Sequence, residues 1–461
     1  MVPPFAINKK YRFTFFLCVL CSIVTAQIRD NASETFATAR LQQQAVLLIF
    51  SGSDWCQPCI RFNKTILSDT PFNRFARQHL IVLTADFPQR KKLPAELVAQ
   101  NEALAAQYNP EGAFPKILLL NPDQSVLTTL SYNNQSVVQF TRQISDYLYK
   151  ANMMKEYSIQ TRLMGSDFEF IVVANNKNTA DHWLNGCIRE TRRIENLLTE
   201  FNETSQTAII NKNAGIKPVV VHKEVYDLIN RSILISRLCE GAFDITASAL
   251  KRLYNFKGDA FLLPSKKIIE EAVTKTGYDK IKLLPGNNVF LPVEGMRIGF
   301  GAIGKGYAAD NVKTLLQDGG IASGVVNASG DLTAWGTRPN GEPWKTGIAD
   351  PDKPGDIIVW LPVNEISIAT SGNYIQYFDV NGKRYSHNID PKTGYPVVGI
   401  KSVSVIGPSA ELSDSLATAV TILGVKKGLQ FINQLPSTHC LVIDDINAVH
   451  HSKNLNIKTY G

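Results

Sequence analysis

A continuous apolar run, Ala45-Val46-Leu47-Leu48-Ile49-Phe50, stops at Ser51-Gly52-Ser53 and passes straight into Asp54-Trp55-Cys56-Gln57-Pro58-Cys59, after which the pattern is helical. A run with no polar alternation fits a strand buried on both faces, the kind found inside a parallel layer covered by helices. A cysteine at the turn from such a strand into a helix lies at the positive end of the helix dipole, which favours thiolate over thiol. Cys56 is therefore expected to be the attacking thiolate. Cys59, one turn further in, is expected to be the resolving thiol, with exchange passing through a mixed disulfide. A static disulfide and half of a metal site are the competing readings. The metal reading lacks ligands, since no second Cys-x-x-Cys or spaced histidine pair follows.

With 461 residues the chain exceeds the ~250 to 300 at which single cores stop growing, so two domains are expected. Hydrophobic residues make up 44% and charged residues 19%, which suits buried cores and gives no sign of disorder or a fibrous repeat. At the start, Lys9, Lys10 and Arg12 precede an apolar stretch from Phe15 to Val24 and the small-residue exit Val24-Thr25-Ala26. This is the pattern of an export signal cleaved after Ala26. An uncleaved, membrane-associated form is the alternative, although the run is short against the roughly 20 residues needed to span a bilayer; a lipid anchor at Cys21 would meet the large Leu20 where a small residue is needed. The expected location is extracytoplasmic, in a periplasm-like compartment.

Removing three signal cations from a formal charge of +7 leaves 7 − 3 = +4. Basic residues are scattered and no nucleic-acid motif accompanies them, so a nucleic-acid partner is not expected. Of seven cysteines, Cys18 and Cys21 leave with the signal, and Cys187, Cys239 and Cys440 stand apart from the close pair. That is no disulfide framework, but an oxidising compartment lets Cys56 and Cys59 work as a redox couple.

The strand, the W-C-x-P-C turn and the following helix resemble the thioredoxin superfamily over residues 27–150. Ala113-Phe114-Pro115-Lys116 before the apolar strand Ile117 to Leu120 is similar to the segment where that superfamily places a cis-proline beside its cysteines. An α/β domain with a thiol partner is implied. The segment Phe87 to Asn109, charged and helix-forming, departs from the minimal fold.

Beyond Tyr149 the stretch Lys150 to Arg162 reads as a polar link, and a mixed α and β domain follows over 151–461. Its expected strands include Phe168 to Val173, Ile357 to Val363 and Lys401 to Ile406; its expected helices include His182 to Phe201 and Val225 to Leu238. Gly299-Phe300-Gly301-Ala302-Ile303-Gly304 fits G-x-G-x-x-G, and the match to a P-loop fails only at Gly306, where Ser or Thr is required. Glycines before a helix still let backbone N–H groups approach an anion. In Ser413-Asp414-Ser415-Leu416-Ala417-Thr418 a carboxylate and a hydroxyl stand at i and i+4, with Ser413 a candidate cap. Oxygen donors of this kind suit a hard cation such as magnesium, while helix-dipole stabilisation and backbone bonding are the plainer reading. His387, followed by Asn388-Ile389-Asp390-Pro391-Lys392-Thr393-Gly394, is the candidate general base.

Together these segments resemble the ApbE family of FAD:protein FMN transferases, in family order: Met164-Gly165, Gly241-Ala242-Phe243-Asp244, Gly301 through Ala308, Asn327 through Leu332, Ala369 through Gly372, Ser386-His387 through Gly394, and Asp414 through Thr418. The resemblance implies an α+β architecture related to the T-fold. It places Met164, Ala242, Phe243, Asp244 and Lys305 at the FAD site, magnesium on Asp414, Thr418 and the Ala302 carbonyl, and His387 as base and cofactor contact. Gly299 departs from the acidic residue common in the family at the opening of the glycine turn, and Phe201 from a nearby tyrosine. The implied chemistry is magnesium-dependent attack of a threonine or serine hydroxyl of an acceptor flavoprotein on the phosphorus bearing FMN, with AMP leaving. A flavin carrier, an FAD pyrophosphatase and a thiol-disulfide oxidoreductase are the alternative functions.

Overall fold

A computed structural model describes residues 28–151, 153–256, 263–353, 355–372, 377–380, 383–453 and 455; the segment 1–26 read as an export signal lies outside them. In the amino-terminal part five strands stand side by side in the order Ile28–Arg29, Leu80–Asp86, Ala45–Ser51, Lys116–Leu120 and Val126–Leu130. The apolar run is the middle strand, parallel to one neighbour and antiparallel to the other. Every residue from Ala45 to Phe50 is at most 1% exposed. Leu47 and Ile49 join Phe62, Phe72 and Phe140 on one face, whereas Val46, Leu48 and Phe50 join Phe36, Leu104 and Tyr108 on the other. Two covered faces are why the run does not alternate.

Cys56 caps the helix Gln57–Phe62 and is joined to Cys59 in a disulfide, both cysteines being buried. The Phe114–Pro115 peptide is cis, as the sequence reading has it. The segment Phe87–Asn109 contributes the helix Ala95–Tyr108 and is moored to the cysteine turn. Asp54 accepts backbone N–H bonds from Gln89, Arg90 and Lys91 at 2.8, 2.7 and 3.1 Å, and the Trp55 indole donates to the Phe87 carbonyl at 2.7 Å. The Gln89 bond foremost, with its two neighbours, holds the Asp54 carboxyl below its ordinary range.

The second part is built on eight strands in the order Val449–His451, His439–Asp444, Ile400–Gly407, Ser367–Gly372, Asp331–Trp335, Gly324–Ala328, Ser166–Ala174 and Lys155–Leu163, each antiparallel to the next. The stretch Lys150–Arg162 is therefore not a link. Residues 155–163 pair with Ser166–Ala174 along their whole length, as the outermost strand. Its side chains are alternately half-buried and exposed, the pattern of an edge strand with one wet face, and that polarity is what resembles a linker in sequence. The two strands are joined by Met164 and Gly165, with φ of 50° and 74°, the pair of positive values that a two-residue hairpin turn of matching twist requires.

Helices Lys177–Leu198, Gly304–Asp318 and Ala410–Ile432, the last kinked at Gly424, cover one face of the sheet. A two-stranded ribbon, Trp344–Ala349 with Ile357–Val363, packs its apolar side against residues of the opposite face such as Val325, Leu332 and Ile406. The strands and helices expected in this part appear close to their predicted bounds. Helices Lys177–Leu198 and Lys223–Leu238 start earlier than expected because Asn176 and His222 cap them. Among the described residues no helix is long and apolar enough to cross a membrane.

The two parts share apolar core. Phe140, Leu148 and Tyr149 of the first belong to the same cluster as Val325, Ile348 and Leu361 of the second. At the seam Arg74 donates to the Asp318 backbone carbonyl and carboxylate at 2.9 and 3.0 Å, and the fully buried His79 ring lies 3.3 Å from the Gly320 carbonyl. Gly320 has φ of 93°, and a Cβ there would lie 2.8 Å from the Arg74 carbonyl oxygen, so glycine serves both the turn and the close approach.

Candidate active site

The glycine turn ends where the helix Gly304–Asp318 begins. None of Gly299, Gly301, Gly304 and Gly306 has a positive φ, so two of them, Gly299 and Gly306, are explained by close approach rather than by dihedral freedom. A Cβ on Gly306 would run into the Ala410 carbonyl and lie 2.8 Å from the Glu411 nitrogen. The two helices thus meet backbone to backbone, which is the physical reason for glycine where a P-loop carries a hydroxyl. At Gly304 a Cβ would be an ordinary 3.5 Å from Met164 Cε, which puts Met164, at the hairpin tip, against the start of this helix. At Gly299 a Cβ would lie 2.8 Å from Glu200 Oε1. The acid missing from the opening of the turn is thus matched by a carboxylate reaching in from another segment, held by Ser248 Oγ at 2.8 and 3.0 Å and by Arg297 at 3.5 Å. Phe201, the other departure, is 88% exposed.

Crossing the turn is the helix Ala410–Ile432. Ser409, and not Ser413, caps it: the Ser409 hydroxyl accepts from Leu412 N, and Asp310 accepts the Ala410 and Glu411 N–H groups at 2.9 Å each. Ser413 lies one turn inside, fully buried, its hydroxyl without a hydrogen bond among the described residues. One residue further, buried Asp414 accepts the Gly306 N–H at 3.4 Å. It shares its surroundings with Asp331, 1% exposed at the start of a central strand, whose carboxylate lies 2.5 Å from Lys305 Nζ. Burial raises both carboxyls above their ordinary range. For Asp414 repulsion from Asp331 adds to this, and Lys305, the Gly306 N–H and Lys251 act the other way.

Beside this charged cluster a small pocket is lined by Ala242, Phe243, Asp244, Lys251, Ala302, Asn388 and Thr418, together with Ala247, Ile389, Pro391 and Ile422. Asp244 shapes the wall: one carboxylate oxygen accepts from the Thr246 N–H and hydroxyl, the other from Tyr278 N. Phe243 is 1% exposed and also belongs to the core beneath. His387 is partly exposed and follows the strand Lys383–Ser386. Its neighbour Asn388 is fixed by the Ser386 hydroxyl at 2.9 Å and the Ser371 hydroxyl at 3.1 Å.

Five of the sequence-predicted residues, Ala242, Phe243, Asp244, Ala302 and Thr418, therefore meet at one pocket. Asp414 and Lys305 stand in the adjoining charged cluster, and Met164 lies against the helix start. Glu200, Lys251 and Asp331 carry no role in the sequence reading. Asp331 lay within a quoted motif, so a carboxylate at a strand start was the available signal; Glu200 and Lys251 had none. The donor set fits a hard cation: a carboxylate, a hydroxyl and a carbonyl are all oxygen, and two buried carboxylates with raised pKa values gain from added positive charge. Among the described residues no three His, Cys, Asp or Glu side chains cluster as a metal cage, so neutral oxygens and the substrate would complete such a shell.

The profile of the ApbE family matches residues 164–442, which is more than half of the chain. The chain belongs to the ApbE family. A thioredoxin-like profile matches residues 27–122. Among curated relatives, the FAD:protein FMN transferase of Treponema pallidum is 31% identical over 54% of this chain and 73% of its own length, and that of Salmonella typhimurium 30% over 52% and 70%. Among solved structures, the ApbE protein of Thermotoga maritima covers 65% of this chain and 97% of its own at 30% identity, with a TM-score of 0.61. The flavinyl transferase ApbE of Pseudomonas stutzeri covers 65% and 95% at 26%, with a TM-score of 0.59.

Proposed function

We propose that this ApbE-family chain is an exported FAD:protein FMN transferase that works with magnesium on a threonine or serine of an acceptor protein. The observation that carries the reading is the convergence of Ala242, Phe243, Asp244, Lys251, Ala302, Asn388 and Thr418 on one pocket beside the Asp414, Asp331 and Lys305 cluster. Asp414, Thr418 and the Ala302 carbonyl would hold magnesium, which when bound supplies positive charge to the FAD pyrophosphate. The helix beginning at Gly304 turns its N–H end toward phosphate oxygens. The acceptor oxygen forms a bond to the phosphorus bearing FMN, the bond from that phosphorus to the AMP oxygen breaks, and the hydroxyl proton passes to His387. Export rests on the amino-terminal cations, apolar stretch and Val24-Thr25-Ala26 exit.

Mature protein incubated with FAD, magnesium and candidate exported acceptors is expected to add the mass of FMN to the acceptor and release AMP. Equal release of FMN and AMP with no labelled acceptor would make the enzyme a hydrolase. His387→Asn is expected to slow transfer by ~10²- to 10⁴-fold, the usual contribution of a general base, with FAD affinity little changed. Weakened FAD binding at an unaltered maximal rate would instead make His387 a binding residue.

The cysteine pair serves thiol exchange in the same compartment. Reduced Cys56 attacks a partner disulfide, Cys59 displaces the partner as a thiol, and the Cys56–Cys59 disulfide forms; another dithiol protein must reduce it again. Tethering raises the local concentration of this reductant at the acceptor. A Cys56→Ser, Cys59→Ser variant should flavinylate a cysteine-free acceptor normally but fail on a cysteine-bearing natural acceptor under oxidising conditions. Equal labelling of that acceptor by both forms, with and without oxidant, would leave the module a docking element.

A further inference from the structure

We infer that Lys251 is a substrate-binding cation of this pocket, contacting a phosphate of a dinucleotide pyrophosphate; the assignment rests on the transferase reading of the site and names a residue within it.

Among the described residues that line the pocket, Lys251 is the one cation. Lys305 is already bound to Asp331 at 2.5 Å. Arg297 and Arg252 lie on Glu200, at 3.5 and 3.9 Å. Lys251 lines the pocket, yet among the described residues it has no carboxylate within ion-pair distance. The acids whose charge acts on it also have other partners: Glu200 has Ser248, Arg297 and Arg252, and Asp414 the Gly306 N–H. A half-buried ammonium with no ion pair gains from an anionic ligand that completes it.

The backbone around Lys251 is held before any ligand arrives. Ser248, at the start of its short helix, is bound to Glu200 through the hydroxyl. Leu250, fully buried, packs at the turn that ends in Gly394, and the Tyr254 hydroxyl donates to the Gly394 carbonyl at 2.7 Å. Upstream, Asp244 closes the turn onto Thr246. A backbone ordered in advance leaves only the lysine side chain to be ordered on binding, and preorganised charge is the most effective kind for stabilising phosphoryl oxygens. Lys251 lines the same pocket as Ala302 and Thr418, two of the residues that would hold the proposed metal, so both positive groups would act on one pyrophosphate.

The test measures ADP, FAD and riboflavin binding to the full chain by calorimetry with magnesium present, for wild type, Lys251→Met and Lys251→Arg. Methionine keeps the length of the stem and removes the charge. ADP and FAD are expected to bind Lys251→Met about 10- to 100-fold more weakly, in keeping with the loss of one hydrogen bond to a charged group. Riboflavin, which has no phosphate, should bind both equally, and Lys251→Arg should stay within a few-fold of wild type for all three. Unchanged ADP affinity in Lys251→Met would overturn the assignment, and so would an equal loss for riboflavin, which would mark a structural role. The transferase reading fails separately, through absence of FMN on any acceptor treated with wild-type protein; an ADP difference between wild type and Lys251→Met would then still identify a phosphate-binding lysine.

Discussion

Gly306→Ala is expected to lose both stability and transfer, whereas Gly304→Ala, two residues away in the same turn, keeps both. The added methyl at 306 has no room, because it would overlap the Ala410 carbonyl and press on the Glu411 nitrogen. Both obstacles are backbone, at the start of a long helix, and cannot rotate aside as a side chain could. Overpacking of this kind costs typically ~1–3 kcal/mol, and relief would require the helices Gly304–Asp318 and Ala410–Ile432 to part. Parting them would withdraw the Gly306 N–H from Asp414 and the Asp310 carboxylate from the Ala410 and Glu411 N–H groups. At Gly304 the nearest atoms to a new methyl are Met164 Cε and Phe300 Cβ, both at 3.5 Å, which is ordinary contact. Thermal unfolding of the two variants, with FMN transfer measured below their transitions, checks the contrast. A Gly306→Ala protein that melts with wild type and transfers at the wild-type rate would show that the helix contact is not tight.

Asp414→Asn is expected to abolish most transfer, by at least ~100-fold, the upper end of what even supporting groups of a metal contribute, while leaving the fold as stable as before or more so. The side chain is buried, its carboxyl is raised by burial and by Asp331, and its protein hydrogen bond is a long one from Gly306 N. Exchanging carboxylate for amide removes a like-charge repulsion and keeps the shape. A residue that costs stability and is required for activity is the usual signature of a functional position. Thr418→Val, which removes the neighbouring hydroxyl at nearly constant volume, should weaken magnesium affinity less. Titrating magnesium against transfer rate and following thermal unfolding without magnesium separates the two effects. Near-normal transfer by Asp414→Asn at low magnesium would remove Asp414 from the proposed metal set, and a large loss of stability would make it a structural residue.

Local chemistry in the sequence was enough to determine the buried strand Ala45–Phe50, the cysteine turn after it, the long helices and the family motifs, because each depends on residues close together in the chain. Periodicity marked Ile357–Val363 as a strand at its observed bounds, and the order of the motifs identified the family. Sequence misjudged Lys150–Arg162, since a half-wet edge strand and a polar linker have the same composition and only pairing with Ser166–Ala174 distinguishes them. It offered Ser413 as a candidate cap, whereas the chain begins its helix one turn earlier at Ser409 and buries Ser413. What only the tertiary structure decided is which distant groups share a site. Glu200 occupies the space beside Gly299, Asp331 engages Lys305 and repels Asp414, and Lys251 enters the pocket from a short helix that carries no motif. Charge interactions act through space over a few ångströms, and the packing of elements far apart in the chain sets those distances, so spacing along the chain does not encode them.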